Sequence, residues 1–323
     1  MNQSTMNIVV AVNKPFIPYC YVMLTSLLIN NTMPMRVFVL HHELDADDEK
    51  LLKELTALYP VTFEFLYIPD SLLPPEDILS ATPWGIETYF RLAIIDLLPT
   101  DVDRALYLDS DIIINGSLDE LYFADLEGKN IAACHDLHSR YPFHDYRDQT
   151  FNRLISDDFI YFNAGLTLFH LDGLRGKHNF NSYMDIIRSL NYQVHSPDQD
   201  ALNYAHHKDT YFLDFKKYNL YARRAFTDYG MHYKDVKEQT IVIHYTNSKP
   251  WQGNCLHCDI EQLWWDYAKH TPFYYEFLQK IAEQVLSDST LAEYISGIRH
   301  EHQQLQQIVS QYKSILEKAG IPY

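Results

Sequence analysis

Short runs of β-branched apolar residues alternate with helix-spaced segments along the amino-terminal half of this chain, and that alternation admits few folds. Ile8-Val9-Val10-Ala11-Val12 has no polar face, so it reads as a strand buried on both sides. Pro18 and the apolar spacing through Leu28 predict a helix directly after it. Arg36–Leu40 reads as a second strand, Asp47–Leu58 as a helix with acids in its first turn, and Thr62–Ile68 as a third strand. Further on, Thr88–Leu97 and Ser117–Phe123 read as helical, Ala105–Leu108 and Ile131–Cys134 as strands. Strands joined through helices pair in parallel rather than as hairpins, so the expectation is an α/β fold with a mostly parallel central sheet flanked by helices.

The second half is less regular. Residues Leu137–Phe159, rich in His, Tyr, Asp and Arg, read as a long loop of the kind that borders a site. Tyr161–Leu171 resumes a strand-like run, Gln199–Ala205 reads as a helix, and Thr240–His244 as a late strand. Charge narrows the partners: 26 Lys and Arg stand against 43 Asp and Glu, a formal net charge of −17. Neither a broad nucleic-acid surface nor a polybasic membrane anchor is built from such a balance, so no nucleic-acid partner is expected. No apolar run approaches the length of a bilayer span, and Cys20 and Cys134 sit isolated in apolar stretches, as in a reducing compartment. The expected location is cytoplasmic.

Chemistry concentrates at Leu108-Asp109-Ser110-Asp111-Ile112. Side chains two apart in extended backbone point the same way, and these two acids follow a buried strand at its carboxyl end, where open α/β sheets bind ligands. Paired carboxylates in apolar sequence repel each other and lose solvation unless a cation lies between them. A second buried run, Ile241-Val242-Ile243, ends in His244. Two carboxylates and an imidazole suit Mn²⁺, with Mg²⁺ as the second candidate, because nitrogen favours the softer ion. Beyond it, Lys249-Pro250-Trp251 offers a cation for phosphates over an aromatic ring.

Four segments in order, Leu108–Asp111, Phe162-Asn163-Ala164-Gly165-Leu166, Pro197-Asp198-Gln199-Asp200-Ala201-Leu202-Asn203 and His244-Tyr245-Thr246 to Lys249-Pro250-Trp251, resemble the motifs of glycosyltransferase family 8. The resemblance spans roughly residues 6 to 275. It implies a GT-A fold, Mn²⁺, and transfer of a hexose from UDP-glucose or UDP-galactose, with retention of configuration, to a glycan or glycolipid acceptor. Residue by residue, it makes Asp109, Asp111 and His244 the metal ligands. Arg91, Ser110, Ala164 and Lys249 would contact the donor, Asn163 and Asp198 the sugar hydroxyls, and Ala11, Asn13 and Phe16 the base and ribose. Gln199 would lie near the anomeric carbon, with Asp198 and Asp200 as the carboxylates to test for a covalent intermediate; Asp198 also reads as a helix N-cap. The segment Asn13-Lys14-Pro15-Phe16 carries no acid, Asn247 stands where the family tends to have Gly, and Lys249 follows His244 by only five residues.

The resemblance divides the chain into a catalytic domain, residues 1–275, and a helical carboxy-terminal extension, residues 276–323. In that extension Ile298, Leu305, Ile308, Tyr312, Ile315 and Ala319 fall near heptad spacing, which suits either a homodimer through this helix or peripheral association with the inner face of the cell membrane. Cys255-x-x-Cys258 is a single pair, weak as a zinc signature. Two other activities use the same residues: hydrolysis of a nucleotide sugar, and binding of one without turnover.

Overall fold

The computed structural model describes residues 5–80, 85–136, 160–192, 194, 196–246, 249–252, 258–287 and 289–318. Its main sheet contains β1 (Met6–Ala11), β2 (Met35–His41), β3 (Val61–Tyr67), β4 (Arg104–Leu108), β6 (Ile131–His135), β7 (Phe162–His170) and β8 (Thr210–Leu213), in the order β3-β2-β1-β4-β7-β6-β8. Only β7 runs against its neighbours, β4 and β6. A smaller sheet, β5-β10-β9, is made of β5 (Ile112–Ile114), β9 (Leu220–Tyr221) and β10 (Val242–His244). The expected α/β architecture, mostly parallel and flanked by helices, is therefore found.

Alternation along the strands explains the layers. Ile8 and Val10 of β1, with Leu106 and Leu108 of β4, join the helix Ile17–Asn30 on one face of the sheet. Val9, Ala105 and Tyr107 point to the other face, against the helices Phe180–Ser189 and Pro197–His206. Burial of both faces is why these strands lack a polar stripe. A third, aromatic cluster around Trp251, Trp264, Tyr245 and Phe277 supports the small sheet.

Several expectations shift in detail. The stretch read as an α-helix over Thr88–Leu97 is a 3-10 helix at Ile86–Ala93 that becomes α-helical at Ile94–Leu97. With three residues per turn, Tyr89 stacks on Leu92 and Phe90 on Ala93, two buried rows, while Arg91 is directed along a third row. Asp198 is not an N-cap: Ser196 is the capping position and Pro197 fills the first turn, placing Asp198 inside the helix. The expected loop at residues 137–159, Asn247, and the Cys255 half of the cysteine pair lie outside the described residues; Cys258 is a free thiol. Beyond the aromatic cluster follow the helices Tyr274–Ser287 and Ser289–Lys318. Among the described residues no helix is long and apolar enough to cross a membrane.

The chain visits β1, β2 and β3 outward, then returns to place β4 on the other side of β1. The carboxyl ends of β1 and β4 thus frame a topological switch point, where such sheets leave a crevice. Asn13 follows the first of these ends and Asp109 the second. Because β7 is antiparallel, its beginning rather than its end, Phe162 to Gly165, arrives at the same edge.

Candidate active site

Asp109 and Asp111 sit where the chain leaves one sheet for the other. Asp109 N–H donates to Gly165 O at 2.8 Å, the last rung of the large sheet, and Tyr245 N–H donates to Asp111 O at 3.0 Å, beside the first rung of the small one. Ile112 pairs with His244 in the β5–β10 register, which carries the imidazole to the acids. Ligand atoms of Asp109, Asp111 and His244 all lie within 4.8 Å of one another. Gly165 lies beneath them, and a Cβ there would stand 2.5 Å from His244 Cε1 and 2.6 Å from Asp109 Oδ2.

The donor set fits a cation. His244 Nδ1 lies 2.9 Å from Asn219 Oδ1, an acceptor, which leaves Nε2 of the neutral ring with its lone pair. That lone pair faces Asp111 Oδ1 at 3.1 Å, and Asp111 Oδ1 is buried with no hydrogen-bond donor. Two acceptors turned toward each other in a buried place are costly unless something positive joins them. Asp109, Asp111 and His244 are the residues that would hold a divalent ion, as the sequence predicts.

Cations of the chain itself surround the acids. Lys249 Nζ binds Asp111 Oδ2 and donates to Tyr245 O at 2.8 Å. Burial opposes the Asp111 charge, but the net direction is down, with the Lys249 ammonium the largest cause of the lowering, and the carboxyl is held well below the usual range. Arg91 spans two carboxylates: Nη2 donates to Asp109 Oδ1 at 2.8 Å and Nε lies 2.9 Å from Asp198 Oδ2, with the guanidinium 4.5 Å above the Tyr107 ring. Tyr107 Oη donates to the same Asp109 oxygen at 2.9 Å. Burial pushes the Asp198 carboxyl up while Arg91 pulls it down, and the net direction is up.

The second half of the site is a network of amides. Gln199 Oε1 accepts from Ala164 N–H at 2.9 Å and from Asn163 Nδ2 at 3.1 Å, and Gln199 Nε2 donates to Asp136 at 2.9 Å. Tyr221 Oη donates to the other oxygen of Asp136. Asp200 accepts from Tyr161 Oη at 2.5 Å and Ser196 N–H at 3.2 Å. Ser110, between the two acids, is buried, as is Ala164.

At the β1 end, Ala11 closes the strand and Asn13 Oδ1 accepts from Phe16 N–H, so that the Phe16 ring stands exposed beside Tyr19. Tyr19 stacks on Trp251 at 4.3 Å, which ties this turn to the segment carrying Lys249. The acid absent from residues 13–16 is present in space: Asn13 Nδ2 donates to Glu87 Oε1 at 3.1 Å. Sequence reading missed Glu87, Asp136 and Asn219. Each meets its partner across 63 to 85 positions or 25 and 56 positions, and none has a local motif.

A profile of glycosyl transferase family 8 matches residues 7–255. A lipopolysaccharide 1,2-glucosyltransferase of Escherichia coli is 27% identical over 261 residues, 77% of this chain and 74% of the relative. A lipopolysaccharide 1,3-galactosyltransferase of Salmonella typhimurium is 27% identical over 263 residues, 76% of this chain and 73% of the relative. Among solved structures, galactosyltransferase LgtC in complex with donor and acceptor sugar analogues superposes with a TM-score of 0.69 at 21% identity, over 83% of this chain and 96% of that one.

Proposed function

The chain belongs to glycosyl transferase family 8, and on that premise we propose that it moves glucose or galactose from a UDP-sugar onto a glycan or cell-envelope glycolipid, with retention of configuration and with Mn²⁺ or Mg²⁺ at Asp109, Asp111 and His244. The observation that carries this reading is the convergence of those three donors at the switch point, one of their oxygens buried without a donor. The lipopolysaccharide transferases among its relatives favour a saccharide acceptor over water.

A bound divalent cation supplies charge that offsets a departing diphosphate. Lys249, already within reach of Asp111, adds a second positive charge on the same side. Arg91 holds Asp109 and Asp198 in fixed relation, so the ion side and the sugar side share one rigid cation. Asn163 and Asp198 accept sugar hydroxyls, with Ser110 and Ala164 lining the donor path. Ala11, Asn13 and exposed Phe16 face the base and ribose, with Glu87 as the acceptor that residues 13–16 lack. Gln199 is held by three hydrogen bonds and serves as a fixed wall near the anomeric carbon. An amide so engaged is no nucleophile, which favours entry of the acceptor on the face the nucleotide leaves. Asp198 and Asp200 are the carboxylates whose replacement tests that route against a covalent one.

Release of nucleotide from UDP-, GDP- and ADP-hexoses, with Mn²⁺ or a chelator, is the direct test. Wild type is expected to consume one UDP-hexose only with metal and faster with saccharide acceptor, and Asp111→Asn to lose at least about 10²-fold, the scale of removing a group that stabilises developing charge. Turnover indifferent to acceptors would make the chain a hydrolase, and donor binding without turnover a binding protein; either result overturns the reading.

We also propose that the terminal helix mediates self-association. Leu305, Ile308, Val309 and Tyr312 are exposed along one stripe of Ser289–Lys318. Residues 297–323 carry Arg299, Lys313 and Lys318 against Glu301 and Glu317, too little positive charge to draw a helix to an anionic bilayer at the inner face of the membrane. Deletion of residues 297–323 is expected to halve the particle mass by light scattering, while an unchanged subunit count and retained vesicle binding by the full chain would favour the membrane instead.

A further inference from the structure

Hydrogen bonds from two backbone groups fix the chain of amide orientations that ends at His244. Gly165 N–H donates to Asn163 at 3.1 Å, so the accepting atom is the amide oxygen. Ala164 N–H likewise identifies Gln199 Oε1 as an oxygen, and Asn163 turns its NH₂ toward that oxygen, which orients Asn163 the same way. Asn219 lies 3.0 Å from Asn163 Oδ1 and must therefore present its own NH₂ there. Its remaining oxygen faces His244 Nδ1 at 2.9 Å, and an oxygen accepts only from an N–H. The proton of the neutral imidazole is thus on Nδ1, and Nε2 is left to the acids.

We propose that Asn219 is a positioning residue of the metal centre: it selects the His244 tautomer that turns the Nε2 lone pair toward Asp109 and Asp111, and ties that choice to Asn163. The inference rests on the reading of these three residues as ligands of a divalent ion. Asn219 is wholly buried and immediately precedes β9, whose Tyr221 pairs with His244 in parallel register, so backbone pairing brings the two side chains together. The position requires an acceptor for the imidazole and a donor for Asn163 in one short side chain, and an amide supplies both. Which ring nitrogen of a histidine binds a metal is set by the bond the other makes, and partners of this kind change metal affinity about 10–100-fold.

Mn²⁺ binding followed by electron paramagnetic resonance tests this in wild type, His244→Ala, Asn219→Leu and Asn219→Asp. Wild type is expected to bind and His244→Ala to lose binding. Asn219→Leu, close in size but without an acceptor, should bind about 10–100-fold more weakly. Asn219→Asp keeps an acceptor for Nδ1–H but loses the donor to Asn163, and should recover part of the affinity lost in Asn219→Leu, a rescue that a merely space-filling role would not give. In the Zn²⁺-loaded, diamagnetic wild type, ¹⁵N spectra should show His244 protonated on Nδ1 and metal-bound through Nε2. Should Asn219→Leu fail to fold, as judged by its thermal melt, that wild-type spectrum decides the matter. Metal on Nδ1, or an Asn219→Leu protein that binds Mn²⁺ like wild type while His244→Ala does not, overturns the assignment of Asn219 alone. Equal binding by wild type and His244→Ala overturns the metal reading, and this inference with it.

Discussion

Gly165→Ala is expected to remove ion binding and donor turnover together while the protein stays folded. The methyl group would stand 2.5 Å from His244 Cε1, 2.6 Å from Asp109 Oδ2 and 3.1 Å from Asn163 Oδ1. None of the three has somewhere to go. His244 is pinned by Asn219 and by its pairing with Ile112, and Asp109 by Arg91 and Tyr107. The requirement here is space, since Gly165 has no left-handed backbone angle. Crowding one buried position costs about 1–3 kcal/mol, which a domain of this size survives. Displacing reacting groups by about 1 Å costs about 10²-fold in rate, and turnover should fall by at least that much. Mn²⁺ titration alongside nucleotide release measures both effects. An alanine variant that binds Mn²⁺ as tightly as wild type would show that the triad does not close over this residue.

Arg91→Met should produce the largest loss of stability of any single change at the site, about 3–5 kcal/mol, because it strands two carboxylates that share one guanidinium. Methionine matches the apolar length of Arg91, so the loss reports the guanidinium charge, its contact with the Tyr107 ring included, rather than volume. Its pH dependence has a definite sign. Burial already pushes the Asp198 carboxyl above its ordinary value of 3.8, and removing Arg91 pushes it further. A carboxyl whose folded pKa is raised binds its proton better folded than unfolded, so its contribution is most favourable in acid and is lost as pH rises through the folded value. The gap in Tm between variant and wild type should therefore be widest near neutrality and narrow as pH falls. A gap that is flat across that range would mean that Asp198 is not the stranded charge.

Much of this architecture is legible in one sequence because both faces of the sheet are buried. Continuous apolar runs identify β1, β2 and β4 without an alignment, and the acids that follow β4 and the histidine that ends β10 stand out against apolar neighbours. What escapes reading is set by pairing at a distance. Ile112–Ile114 looks like a continuation of the strand before it, yet it belongs to another sheet, because the partner that captures it lies some 130 residues later. The 3-10 turn at Ile86–Ala93 carries the same residues as an α-helix and differs only in which rows meet the sheet. Asn219 and Glu87 have no local pattern at all: their roles are fixed by His244 and Asn163 for the one and by Asn13 for the other, all distant in sequence.

Placing His244 on β10 has a consequence for how the chain matures. Asp109 and Asp111 precede it by more than 130 positions, and β10 is the last strand among the described residues. Contacts of such long range form late, after the loops between them have been closed. An incompletely folded or truncated chain can therefore possess the whole large sheet and still lack an ion site, so that ion affinity doubles as an assay of native closure. On the proposed reading of these three residues, a nascent chain released before residue 242 would be inert toward its donor, and competence would arrive with the small sheet rather than the large one.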